Sequence, residues 1–265
     1  ERAGLDRDAR GASGGLVLRA GKARKVIPIE RATNGTQTFS WGGLTRKAGS
    51  GYESAMQYLA NPARFLRIAN AVLPYVWSIA LVLLAVGLYG ALVTAPPDYQ
   101  QGETVRIMYV HVPAAWMALF IYTVMALASA VAIIFRHPLA DVAAKAAAPI
   151  GAVFCFLALV TGSLWGKPMW GTWWEWDARL TSMFVLFLLY IGYMAIWQAI
   201  DEPHRAAMIA RIVALVGFVN VPIVKFSVDW WNSLHQPASV FRTDGPTIAP
   251  SMLWPLLVMG LAYSF

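Results

Sequence analysis

The sequence predicts an all-α, polytopic membrane protein: a bundle of six transmembrane helices, the sixth truncated, with a tryptophan-rich loop on its outer side. Three observations carry that prediction. The 265 residues are 58% hydrophobic and only 13% charged, whereas a soluble domain carries about a quarter charged residues. The apolar residues fall into long runs, and a run of about 20 matches the thickness of the hydrocarbon core. Lipid offers the backbone no hydrogen-bonding partner, so each run must be helical.

The first run, residues 71–94, contains no charge, and residues 56–70 form a short amphipathic approach to it. The second, 112–135, is also uncharged, and the third, 146–165, holds the sole cysteine, Cys155. The fourth covers 180–200. The fifth, 212–228, is shorter and includes Lys225, whose nearness to the span's outer end favours snorkelling to the interface. The sixth starts near 248 and stops with the chain at Phe265. Pro74, Pro222 and Pro255 mark kinks or ends of their helices.

Ahead of these spans, residues 1–55 contain no methionine, are rich in Gly, Arg and Ala, and show no sustained period of 3.6 or 2. They read as a disordered or non-native extension, and residues 56–265 as the membrane domain. No apolar core followed by a cleavage site makes the tail a secretory signal.

Twelve Lys or Arg precede the first span, while the short loops on the two sides barely differ in basic residues. The N-terminal flank therefore decides orientation, and the positive-inside rule places it in the cytoplasm. The net charge of +7 comes mostly from that tail, so the basic balance speaks for a solvated or lipid-facing segment and not for nucleic acid.

Three connections then face the far side, at about 95–111, 165–181 and 229–247. The middle one contains WGTWWEWDARLTS, with Trp170, Trp173, Trp174 and Trp176 in seven positions. Tryptophans commonly anchor helix ends at the membrane interface. A belt of anchors spreads over many helix ends, however, and here they crowd one loop. His111, at the start of span two, and His235, just past span five, share that side, whereas His137 and His204 lie on the cytoplasmic one.

Two histidines and a mid-span cysteine do not complete a structural zinc site. Two histidines alone are enough for both axial positions of a haem iron, whose other four ligands come from the porphyrin. Indoles suit the faces of that apolar plate, and Arg179, Lys167 or Arg242 could meet its carboxylates. A c-type cytochrome is excluded by the lack of Cys-x-x-Cys-His.

The segment WGKPMWGTWWEWDARLTS resembles the tryptophan-rich WWD signature of haem-handling proteins, and its WDARLTS ending looks like the CcmC family of the cytochrome c maturation system. YLANPARFLR, MYVHVPAAWM and WWNSLHQPAS extend the likeness over residues 56–265. The resemblance implies a protein of the bacterial inner membrane that binds haem b as cargo at the periplasmic face and delivers it to the haem chaperone CcmE. It also implies partnership with the ATP-binding-cassette subunits CcmA and CcmB and the small subunit CcmD, within the lipid bilayer.

Carried over by position, His111 and His235 match the family's axial ligands, and Trp170, Trp173, Trp174, Trp176, Asp177 and Arg179 match its haem-contacting loop. Asp177 is read as positioning the loop through hydrogen bonds, not as a general acid. Glu175 departs from the family pattern, standing where an apolar residue such as valine is usual. A rival reading is a transporter that moves haem or a small molecule through the bundle, which calls for polar mid-bilayer residues or interrupted, paired helices. Spans one to four show almost none of these. A second rival is a structural subunit whose aromatic loop docks a partner protein.

Overall fold

The computed structural model describes residues 62–265, and the extension read over 1–55 lies outside them. The described residues form helices and no strand: α1 (Pro62–Tyr89), α2 (Met108–Phe135), α3 (Pro138–Trp170), α4 (Ala178–Ala199), α5 (Pro203–Gly217), α6 (Asn220–Trp230) and α7 (Pro250–Ser264). A π-helical turn, Gly90–Thr94, prolongs α1, and a 3-10 turn, Glu103–Ile107, leads into α2. Five stretches are long and apolar enough to cross a membrane: Ala63–Thr94, Glu103–Phe135, Leu139–Trp170, Ala178–Ala199 and Pro203–Trp230. This is the multi-pass helical architecture read from the sequence. The sixth run becomes α7, which is 15 residues long.

The structure departs from the expected boundaries in three places. From Pro62 onward the approach and the first span are one helix, which runs without a break through Pro74. The fifth run is two helices, interrupted at Phe218 and Val219. Pro222 accounts for the break, because it offers no N–H to the Phe218 carbonyl four residues back and its ring crowds that carbonyl; it stands in the first turn of α6. The tryptophan loop is shorter than 165–181, since α3 continues to Trp170 and α4 begins at Ala178.

Helix α2 sits centrally, packing most extensively on α3 and also on α5 and α7, while α1 packs chiefly on α7. Where lipid surrounds helices there is no hydrophobic drive to associate, so close contact depends on small residues. Ala144, Ala148 and Ala152 recur at four-residue spacing along α3, and Ala206, Ala210 and Ala214 along α5; all are buried. Large side chains fill the gaps left opposite. A Cβ at Gly151 would come within 2.3 Å of the Tyr190 ring, so this glycine makes room for the tyrosine. The Tyr190 hydroxyl crosses to α2 and donates to the Ala118 carbonyl at 2.7 Å. At one end of the bundle Arg211 on α5 grips Asp141 on α3 through two bonds, Nε–Oδ1 at 2.7 Å and Nη2–Oδ2 at 2.5 Å.

Tyr190→Phe keeps the ring and deletes one buried hydrogen bond, so it should destabilise the bundle by about 1 kcal/mol. Gly151→Ala must displace the ring and should cost more, about 1–3 kcal/mol. Thermal unfolding of the detergent-solubilised variants tests this ranking; equal midpoints for the two would contradict it.

Candidate functional site

The end of the bundle opposite the Arg211–Asp141 pair gathers the three connections. Helix α3 is their common wall. It ends because Gly171 adopts a left-handed conformation, φ 80°, and returns its N–H to the Lys167 carbonyl at 3.0 Å. The Lys167 ammonium adds a bond to the Gly171 carbonyl at 2.9 Å. The Thr172 hydroxyl then turns the chain, donating to the Trp174 carbonyl and accepting the Trp174 N–H. Asp177 starts α4 as its N-cap, with Oδ1 accepting the Leu180 N–H at 2.8 Å.

His111 projects from the first turn of α2 onto α3. Its Nδ1 lies 3.0 Å from the Ala158 carbonyl and 3.1 Å from the Thr161 hydroxyl oxygen. The carbonyl can only accept, and the Thr161 hydroxyl hydrogen is already given to the Leu157 carbonyl at 2.6 Å. Nδ1 must therefore carry the proton, which leaves the lone pair on Nε2. Gly162 gives the ring its place, because a Cβ there would sit 2.9 Å from the imidazole Cε1. Trp165 meets the ring edge-on, with centroids 5.7 Å apart, and its own Nε1 donates to Gln101 in the first connection at 2.9 Å.

His235 arrives from the irregular segment after α6. Its Nδ1 lies 2.9 Å from Asp177 Oδ2, the oxygen that also accepts the Ser233 hydroxyl. The Ser233 oxygen in turn accepts the His235 N–H at 3.1 Å, closing a local turn. Trp170, at the last position of α3, packs edge-on against the imidazole at 4.8 Å. An ionised carboxylate only accepts, so His235 also holds its proton on Nδ1 and its lone pair on Nε2.

Burial pushes the Asp177 carboxyl up, but hydrogen bonds from Ser233, the Leu180 N–H and His235 outweigh it and leave the group below its ordinary 3.8. Burial, helped by the nearby Arg179, holds His235 below its ordinary 6.5 despite the opposing pull of Asp177. Both effects favour a carboxylate facing a neutral imidazole near neutral pH.

The structure thus brings His111, His235, Trp170, Asp177 and, from outside the expected set, Trp165 to one end of α3. The two imidazoles are near enough to interact electrostatically with one another and with Arg179. The rest of the tryptophan loop turns elsewhere. Trp174 packs edge-on against Trp176 and Phe184. Trp174 and Trp176 roof an apolar recess of about 410 Å³ between α3 and α4. Trp173 and Trp176 are 55% and 71% exposed, so they present indole surface outward. Arg179 donates to the Lys225 carbonyl at 3.3 Å, and the Lys225 and Glu175 side chains are exposed. A second recess of about 660 Å³, between α4 and α6, includes Trp176, Asp177, Asn220 and Trp231.

Sequence reasoning missed Thr161, Ala158 and Ser233. Only Ser233 had a local signal, a hydroxyl two residues before a histidine, where serine commonly caps a turn.

A sequence model of the family described as Heme exporter protein C matches residues 55–265. The chain is 61% identical over 206 residues to Heme exporter protein C of Bradyrhizobium diazoefficiens, covering 78% of each chain. It is 47% identical over 201 residues to Heme exporter protein C of Escherichia coli K12, covering 76% of this chain and 81% of that one. A putative cytochrome c biosynthesis ccmC-like mitochondrial protein of Marchantia polymorpha is 46% identical over 199 residues, or 75% of this chain and 82% of its own.

With the folded-state pKa of His235 below its ordinary value, the stability it contributes is complete above pH 6.5 and lost as pH falls through the folded value. The Asp177 contribution persists down to its ordinary 3.8 and is lost only below that. The thermal midpoint should therefore fall as pH drops below 6.5, and His235→Asn should flatten that slope. Unchanged slope in the variant would contradict the assignment.

Proposed function

The chain belongs to the Heme exporter protein C family, and from that premise we propose that it holds haem b as cargo outside the lipid core and delivers it to the chaperone CcmE. His111 and His235 are the axial ligands in this reading. The site faces the periplasm across the bacterial inner membrane, the N-terminus is cytoplasmic, and CcmA, CcmB and CcmD are the companions of the export machinery.

The single observation that carries the reading is the matched state of the two imidazoles. Each has Nδ1 committed to an acceptor of this chain, and each keeps Nε2 for a metal. Metal-bound histidines characteristically donate their second nitrogen to a carbonyl or carboxylate in this way. The donor set suits an iron whose equatorial positions are already filled, and among the described residues no group of three or more His, Cys, Asp or Glu could hold a bare metal ion. Haem supplies the iron and the apolar plate. The chain's residues supply the rest: Trp165 and Trp170 fix the imidazole edges, the exposed indoles of Trp173 and Trp176 offer apolar cover, and Arg179 retains donors for a carboxylate.

Handover then requires no covalent change in this subunit beyond release of the iron by its two imidazoles. Ligand exchange at the iron moves the cargo, and a site partly open at its outward indoles leaves the ring accessible to a partner. The interrupted fifth span is the one observation that favours the second reading, a transporter moving haem or a small molecule through the bundle. That reading makes His111 and His235 dispensable for haem retention.

His111→Ala and His235→Ala, purified in detergent beside the parent, should each lose the low-spin bis-imidazole absorption bands and most of the bound haem. Unchanged bands and haem content in both would end the ligand assignment and leave the transporter reading standing.

A further inference from the structure

We propose that Asp177 and Ser233 act as positioning residues that make the two imidazoles unequal donors to iron, His235 the stronger and His111 the weaker. This asymmetry presupposes the haem reading above and goes beyond it by assigning a cause and a sign to the difference between the ligands.

The difference lies in what each Nδ1–H faces. His235 gives its proton to a carboxylate oxygen at 2.9 Å, across a contact in which Asp177 is almost wholly covered, with 6% of its side chain exposed. A charge-assisted bond of this kind draws the proton toward oxygen and places negative charge on the ring, so Nε2 becomes more basic. His111 shares its proton between two neutral oxygens, the Ala158 carbonyl at 3.0 Å and the Thr161 hydroxyl at 3.1 Å. Neither can polarise the ring as an anion does.

Ser233 moderates the effect. Its hydroxyl donates to the same Oδ2 that accepts from His235, so it competes for the charge of that oxygen. Arg179 adds a positive charge that both imidazoles feel. A ring with more negative charge stabilises ferric over ferrous iron, because hydrogen bonding to an axial ligand is one of the protein's levers on haem potential. The two positioning residues should then have opposite signs. Removing the carboxylate's charge raises the reduction potential, and removing the hydroxyl that competes for it lowers the potential.

The test is spectroelectrochemical titration of the haem-loaded full chain in detergent, for the parent, Asp177→Asn, Ser233→Ala and Thr161→Val. Asparagine preserves the N-cap acceptor for Leu180, so α4 keeps its start. Asp177→Asn should move the midpoint positive by about tenfold in the ferric-to-ferrous affinity ratio, about 59 mV for a one-electron couple. Ser233→Ala should move it negative. Thr161→Val leaves the Ala158 carbonyl in place and should move it less than Asp177→Asn does. The proposal is overturned by an Asp177→Asn midpoint equal to the parent's, by a positive shift in Ser233→Ala, or by a Thr161→Val shift as large as that of Asp177→Asn. If Asp177→Asn retains no haem, the sign of the Ser233→Ala shift decides. A parent whose bands survive both histidine substitutions would instead sink the haem reading itself.

Discussion

One carboxylate ties the outer end of this molecule together. Asp177 closes the tryptophan loop, starts α4 by accepting the Leu180 N–H, and with its other oxygen takes the Ser233 hydroxyl and the His235 imidazole from a connection more than fifty residues away. Its ionisation satisfies all of these donors at once. A neutral acid would offer fewer acceptors and leave a buried donor unpaired, which is costly away from water. The irregular segment between Trp231 and Ala249 has no helix of its own, and its attachment to α3 and α4 runs through this carboxylate and the Trp170–His235 contact.

The opposite arrangement holds His111. It stands on a continuous helix, wedged over Gly162, with acceptors furnished by a helix packed on alanines and Cys155. Interiors of that kind are close-packed and resist displacement. One imidazole therefore belongs to the rigid bundle and the other to a strapped connection. Under the proposed function, a site built this way combines specificity with release, since loosening the strap undoes one half of the proposed clasp without unpacking the core.

Much of this was legible in the sequence because lipid simplifies the code. Uncharged runs such as 112–135 need no periodicity to be read as spans, and the order of the connections put His111, the tryptophan loop and His235 at one end. What escaped were features set by neighbours distant in sequence. Thr161 and Ala158 are unremarkable residues of an apolar helix until α2 packs against them. The break in the fifth span was signalled by Pro222, but a hydropathy run counts residues and not hydrogen bonds. The indoles divide their labour in a way composition could not reveal: Trp165 and Trp170 hold imidazole edges, Trp174 packs into the bundle with Phe184, and Trp173 and Trp176 face outward. Helix α3 outlasts its apolar run by a turn because Gly171, not the hydropathy, ends it.

The central claim is that two imidazoles, one from the first turn of α2 and one from the connection after α6, meet one iron through Nε2. Pulsed electron paramagnetic resonance on the ferric, haem-loaded chain, with ¹⁵N confined to histidine side chains, tests it directly. The account predicts two strongly coupled protein nitrogens in addition to those of the porphyrin, both contributed by imidazole. A single coupled imidazole nitrogen, or a high-spin centre with an axial water, would contradict it.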